Sequence, residues 1–252
     1  MINLGNEYFQ MASNTKGTES IKLYIKAASE YSLSNQKCKA GLSYQLGAGI
    51  FYENNFNYQA ALNYIKASNQ YNGIENNRSI ACLTIATNLL NITKHFKLAA
   101  TNLEVLGLLN IKEKRFVEAI DSYEKASKNY KRLNMNKEAF KCLHKISTIM
   151  IQNEDYEKAI IYLEKMNSKN EDIFFDIGVL RLYINDTTAC SEFLKQQNKF
   201  MLTKKYFLLT DLIIAFDQNN KSKFRKLLID HNNIFPLQKW QFDLLINVLE
   251  KI

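Results

Sequence analysis

One eight-residue phrase recurs along this chain at helical spacing, and it restricts the fold more than any other feature. Tyr24-Ile25-Lys26-Ala27-Ala28-Ser29-Glu30-Tyr31 returns as Tyr64-Ile65-Lys66-Ala67-Ser68-Asn69-Gln70-Tyr71. It returns again as Tyr123-Glu124-Lys125-Ala126-Ser127-Lys128-Asn129-Tyr130, with a weaker fourth copy at Tyr162-Leu163-Glu164-Lys165-Met166. In each full copy the Tyr and small residues fall at i, i+3, i+4 and i+7, which is one face of a helix. The copies start 40, 59 and 39 residues apart. A step of about 40 residues is one helix–turn–helix hairpin, and about 59 is nearer three helices, so the common unit is one helix plus its turn, about 20 residues. Each hairpin leaves an apolar face that only the next hairpin covers, and stacking such hairpins gives a curved array with a concave and a convex side. Small Ala and Ser allow close approach, and Tyr fills the gaps.

The single proline among 252 residues lets helices run unbroken. The spacing predicts helices over 17–33, 36–53, 57–72, 77–92, 95–110, 116–132, 136–152, 155–166, 171–184, 187–199, 203–217, 220–231 and 237–251, with breaks at Asn-rich joints. The echo stops near residue 171, where a dense apolar set begins that includes Phe174, Phe175, Phe207, Leu212, Phe216, Phe224, Leu228, Trp240 and Leu245. The reading is therefore all-α: a short N-terminal segment (1–16), a tetratricopeptide-like superhelical solenoid of antiparallel helical hairpins (17–170), and a C-terminal helical bundle (171–252) that closes its open end. Gly47 and Gly49 sit inside a helical pattern with no strand before them, which assigns them to close helix packing. Pro236 is placed at the start of the last helix.

Net charge is +8, but 28 of the 33 basic residues are Lys and only 5 are Arg, the better fork for phosphate. No nucleic-acid-binding motif accompanies the charge, so nucleic acid is not expected as a partner. Cys38, Cys82, Cys142 and Cys190 form no ligand pattern and read as free, mostly buried thiols of a reducing compartment. No secretory leader opens the sequence and no run of apolar residues reaches membrane-spanning length, which places the protein in the cytoplasm. No nucleotide-binding glycine loop, nucleophile elbow or HExxH occurs, and His95, His144 and His231 have no ligands at metal spacing. The Glu154-Asp155 pair is explained by helix capping. No catalytic residue, metal or cofactor is expected.

Charge distribution is more informative. Residues 112–145 carry ten basic groups against five acids. Lys137, Lys141 and Lys145 recur at i, i+4 and i+8, so one helix presents them as one stripe, away from its core residues Ala139, Leu143 and Ile146. Like charges in a row repel unless a partner of opposite sign compensates them. Such a row on a concave face would draw in an acidic rod through fast, salt-sensitive association. A generic tetratricopeptide-like scaffold that binds acidic or C-terminal peptide motifs is the alternative.

The run from Ile120 to Met166 resembles the middle of the soluble NSF attachment proteins, the SNAP adaptors of membrane fusion, closest to the alpha type. Lys141-Cys142-Leu143-His144-Lys145 and Tyr156-Glu157-Lys158-Ala159-Ile160 match the family pattern in register. Leu23-Tyr24-x-x-Ala27-Ala28 resembles its first helix, and Leu237-Gln238-Lys239-Trp240 with Leu244-Leu245 its last, so the likeness spans about 17–252. The resemblance implies a twisted sheet of helical hairpins with a C-terminal bundle. It implies an adaptor rather than an enzyme, monomeric alone, with several copies gathered on a SNARE four-helix bundle. The adaptor recruits the NSF-type AAA ATPase for SNARE disassembly in vesicle-mediated transport, including ER–Golgi transport, while peripherally attached to membranes. Family lysines that face SNAREs match Lys141 and Lys145; Lys137 joins them by the stripe geometry. Two further family basic positions fall on His95 and Thr101, with Lys94 and Lys97 beside them. Asp217 matches an ATPase contact. Tyr8, Phe9 and Met11 are what is left of a membrane-touching loop, the alternative being that Tyr8 and Phe9 form a packed end of the first helix. The family's N-terminal helix and its acidic, Leu-bearing tail have no counterpart in the pattern, and a loop pair near 167–173 is shortened; these implied losses describe a member trimmed at both ends.

Overall fold

A computed structural model describes residues 4–166 and 170–252. The expected shortened loop near 167–173 lies partly outside the described residues. The chain divides into two compact units, Met1–Cys142 and Leu143–Ile252. That division lies inside a helix, whereas the fading of the echo suggested 170/171.

In the first unit α1 (Leu4–Asn14), α2 (Thr18–Leu33), α3 (Lys37–Glu53), α4 (Asn57–Tyr71), α5 (Asn76–Ile92), α6 (Phe96–Lys112), α7 (Phe116–Arg132) and the start of α8 (Asn136–Gln152) follow one another. The main helix contacts run between sequence neighbours, α1 with α2 through to α6 with α7. The short N-terminal segment 1–16, where the spacing placed no helix, carries α1. Its weak signal is Leu4, Tyr8 and Ala12 at i, i+4 and i+8 in an otherwise polar stretch, and Gly5 and Ala12 are its buried contacts.

One joint repeats down the chain. After each helix a residue enters the left-handed region, and the next N–H returns to the carbonyl five residues back: Gln36 to Tyr31, Phe56 to Phe51, His95 to Leu90, Arg115 to Asn110, Met135 to Tyr130 and Asp155 to Met150, all at 2.8–2.9 Å. This is the Schellman closure, which satisfies carbonyls the helix end leaves open. The left-handed residues are Asn35, Asn55, Lys94, Lys114, Asn134 and Glu154, with φ between 55° and 64°. The α4–α5 joint uses Gly73 at φ 82° instead. Four residues past each N-cap comes a small side chain with no exposure: Ala40, Ala60, Ala99, Ala119, Ala139 and Ala159. Ala40 packs with Ala27 and Tyr31 of the preceding helix, and Ser127 of α7 donates to the Ala139 carbonyl.

The Tyr echo has its own explanation. The hydroxyls of Tyr31, Tyr71 and Tyr130 donate to Asn6 Oδ1 (2.7 Å), Gln45 Oε1 (3.2 Å) and Glu104 Oε1 (2.5 Å), each 25 or 26 residues back on the previous helix. The glycines that allow close packing are Gly41 and Gly107 rather than Gly47 and Gly49. A Cβ on Gly41 would lie 2.8 Å from the Tyr71 ring, and one on Gly107 would lie 2.8 Å from the Tyr123 ring. At Gly47 the nearest atom is 3.6 Å away, and Gly49 has open space.

The second unit contains the rest of α8, then α9 (Tyr156–Glu164), α10 (Glu171–Tyr183), α11 (Thr187–Lys195), a 3-10 turn at Phe200–Leu202, α12 (Lys204–Asp217), α13 (Lys221–Ile234) and α14 (Lys239–Lys251). The predicted helix 187–199 stops at Lys195. Helix α10 touches α9, α11, α12 and α14. It is apolar all round, as a central helix must be, with Ile173, Phe175, Ile177, Val179, Leu180 and Leu182 buried. Pro236 precedes α14 by three residues instead of opening it; the N-cap is Gln238, in a capping box with Gln241, and the proline lies where α13 stops. Asp155 caps α9 by accepting from the Lys158 N–H, as the capping reading expected.

Asp176 lies on α10 and is 5% exposed. It accepts from Gln241 Nε2 of α14 at 2.5 Å. Burial pushes its pKa up to about 7, with the Gln241 bond and Lys205 opposing and Asp172 adding to the rise. Burial also raises the thiols of Cys82, Cys142 and Cys190, to about 11, 12 and 12. The four cysteines are free, Cys38 being half-buried and the others buried.

Two predictions follow from these contacts. Gly107→Ala must displace a fully buried ring and should lower unfolding stability by about 1–3 kcal/mol, while Glu154→Gly should raise it by up to about 1 kcal/mol by relieving the left-handed residue; chemical denaturation measures both. The folded state holds the Asp176 proton to higher pH than the unfolded state does. Stability should therefore fall as pH rises from the unfolded carboxylate's range through about 7 and level off above. Asp176→Asn keeps the acceptor, should abolish that slope, and should be more stable than the parent at pH 8 by about 1–3 kcal/mol.

Candidate functional site

Helices α2 to α8 share one register, set by the joints. Counting from the small residue after each N-cap, the second and sixth positions face water in nearly every helix: Lys22 and Lys26, Leu42 and Leu46, Lys66 with half-buried Leu62, Ala81 and Ile85, Thr101 and Val105, Asp121 and Lys125, Lys141 and Lys145. Short joints make sequence neighbours antiparallel. Each step along the first unit reverses helix direction and exchanges the two open faces, so every second helix looks the same way.

Sorting residues by that alternation separates the charges. At these positions and their continuation one turn earlier, α2, α4, α6 and the first turns of α8 present Lys22, Lys26, Lys66, Lys97, Lys137 and Lys141, and no acid. The odd helices present Leu42, Leu46, Ala81, Ile85, Asp121 and Lys125. Lys145 continues the α8 stripe one turn on and is exposed, as are Lys97, Lys137 and Lys141. Among the described residues none of these four makes an ion pair.

The third copy of the repeated phrase shows why the register matters. Lys26, Lys66 and Lys125 hold the same place in it, but the last copy comes three helices after the second. An odd number of steps turns Lys125 to the opposite face, where it pairs with Asp121 at 2.6 Å. Lys22, Lys26 and Lys66 were missed from the sequence; the signal was the i+40 step between the first two copies, which returns Lys26 as Lys66 on the same face.

Lys97 lies on a built feature. Beside it, where α6 begins, a cavity of about 520 Å³ is lined by Tyr58, Lys94, His95, Phe96 and neighbours. The Tyr58 ring stacks on His95 at 4.1 Å between centroids. His95 and Thr101, the two positions where a basic residue was expected by resemblance, both line this cavity.

The other expected site residues belong to other helices. Asp217 is the exposed last residue of α12. Tyr8 and Phe9 are half-buried on α1, packed against the cluster of Ala27, Tyr31 and Ala40. The Phe9 ring meets Tyr24 edge-on at 5.4 Å, and Lys26 Nζ sits 5.6 Å from the centre of the Tyr8 ring. This leaves Leu4 and Met11 as the exposed apolar side chains of α1, at 48% and 54%. Among the described residues no helix is long and apolar enough to cross a membrane.

The family model for soluble NSF attachment protein, SNAP, matches residues 3–252. An alpha-soluble NSF attachment protein of Vitis vinifera is 26% identical over 252 residues, covering 94% of this chain and 87% of that protein. A beta-soluble NSF attachment protein of Bos taurus is 23% identical, covering 95% and 85%. Among solved structures the apo form of RapI aligns with a TM-score of 0.46 and 13% identity, covering 93% of this chain and 64% of that one. With a match over nearly its whole length, this all-helical chain belongs to the soluble NSF attachment protein family.

Proposed function

We propose that this protein is an adaptor in vesicle-mediated transport and membrane fusion: it lays its lysine face along the acidic flank of an assembled SNARE four-helix bundle and recruits the NSF-type ATPase that takes the bundle apart. The observation that carries this reading is the run of lysines on the even-numbered helices, free of acids at the matching positions. Unpaired ammonium groups in rows repel one another, and an acidic rod spanning several helices relieves that repulsion for all of them together. Lys137, Lys141 and Lys145 supply the densest part, and Lys97 the next even-numbered helix back.

ATPase recruitment is assigned to the C-terminal bundle, with Asp217 as an acidic contact. Lipid contact is peripheral and belongs to α1. Because Tyr8 and Phe9 are packed, Leu4 and Met11 are the side chains that reach a membrane surface. Alone the chain is a cytoplasmic monomer, and several copies gather on one SNARE bundle. The family's role supports an adaptor and not a catalyst.

Capture of assembled SNARE bundles on beads tests the reading. The parent protein should bind at low salt and dissociate as salt rises, and Lys141→Glu combined with Lys145→Glu should weaken capture at least about tenfold without changing thermal stability. Undiminished capture by the double variant would contradict the proposal. Binding to short acidic or C-terminal peptides, with no preference for the intact bundle, would favour a generic peptide-binding scaffold instead.

A further inference from the structure

Helix α6 differs from α2 and α8 in what it presents. Where α2 and α8 show lysine after lysine, the stripe of α6 reads Lys97, Thr101, Val105, Leu108 and Lys112. Val105 is 40% and Leu108 54% exposed, so an apolar strip lies open between two cations. At the Lys97 end this strip runs into the cavity of about 520 Å³. The walls of the cavity are held in place: Tyr58 stacks on His95, and the Arg132 guanidinium lies 5.0 Å from the centre of the Phe96 ring. Leu133 forms part of the lining while remaining 40% exposed. Lys94 and Lys97 bring positive charge to the lining, and no carboxylate lines it.

We propose that this pocket is an apolar hot spot within the lysine face: it receives one or two bulky apolar side chains from the surface of an acidic helical partner, while carboxylates on the same helix pair with Lys94 and Lys97. The inference rests on the reading that the partner is an acidic helical rod, and adds the requirement that the rod expose an apolar side chain among its acids. Charge complementarity selects this occupant. A basic or purely apolar segment would leave both lysines uncompensated beside it. An apolar centre ringed by charge is also the arrangement in which a few contacts dominate affinity. The consequence is a division of labour that salt can separate. Added ions screen the lysine rows, whereas burial of an apolar side chain is not screened.

The test is the affinity of the full chain for an assembled SNARE bundle at low and at high salt, with Leu133→Ser and Thr101→Trp as pocket variants and Lys141→Glu with Lys145→Glu as the charge variant. Both pocket positions are exposed; Trp at 101 obstructs the cavity and Ser at 133 strips its wall, and neither changes the charge. The expected result is a loss of about tenfold for each pocket variant at both salts, while the effect of the charge variant shrinks as salt rises. Pocket variants that bind like the parent at the highest salt at which the parent is still captured would overturn the pocket and leave the adaptor reading standing. A parent protein that captures no bundle at either salt would overturn both.

Discussion

The hydrogen bond that closes each helix onto the following residue is the constraint on which the rest of this structure depends. It forces one residue per joint into the left-handed region, and it ends the helix at a fixed distance from the next N-cap. It also sets where the small, buried residue four positions later falls in the following helix. Repeated about every twenty residues, the joint converts a one-dimensional pattern into a two-sided layer. Which side a lysine occupies follows from counting joints, and a shift of one helix reverses the answer. The separation of Lys26 and Lys66 from Lys125 is the clearest case: the same place in the same phrase, but an odd number of joints apart.

Much of this was legible because period and register are properties of the chain itself. Apolar spacing located the helices from α2 onward to within about four residues, and the lysine stripe of α8 could be read from i, i+4, i+8 alone. What escaped were features that depend on a second helix. Gly41 and Gly107 look no different from Gly47 and Gly49 until the rings of Tyr71 and Tyr123 are seen to lie on them. Helix α1 was hidden because its polar surface outnumbers its few anchors. It earns its place by packing on α2, where Asn6 accepts the Tyr31 hydroxyl bond. The cavity beside Lys97 was invisible for the same reason, since Tyr58, Phe96 and Leu133 come from three separate stretches.

The second unit keeps the same joint, with Asn185 and Asn219 left-handed and the Asp186 and Asn220 N–H groups returning to Arg181 and Ala215, but it is built around one helix: α10 is surrounded by four partners and buries nearly everything it carries. Within that apolar wall Asp176 is an expensive choice, tolerated because Gln241 both caps α14 and donates to the carboxylate. The last helix is thus attached through a polar contact whose strength follows proton occupancy. The second unit half-buries Arg181 between Glu164 and Asp186, whereas the first leaves its lysines in water and arranges them by helix parity.

The central claim is that parity, rather than total charge, decides binding, and one comparison tests it directly. Lys26→Glu with Lys66→Glu and Lys125→Glu with Lys128→Glu change net charge equally, the first on even-numbered helices and the second on an odd-numbered one. Affinity for an assembled SNARE bundle at low salt should fall sharply for the first pair and stay near the parent for the second. Equal losses from the two pairs would show that charge acts without regard to face, and a greater loss from the second would place the binding surface on the opposite side.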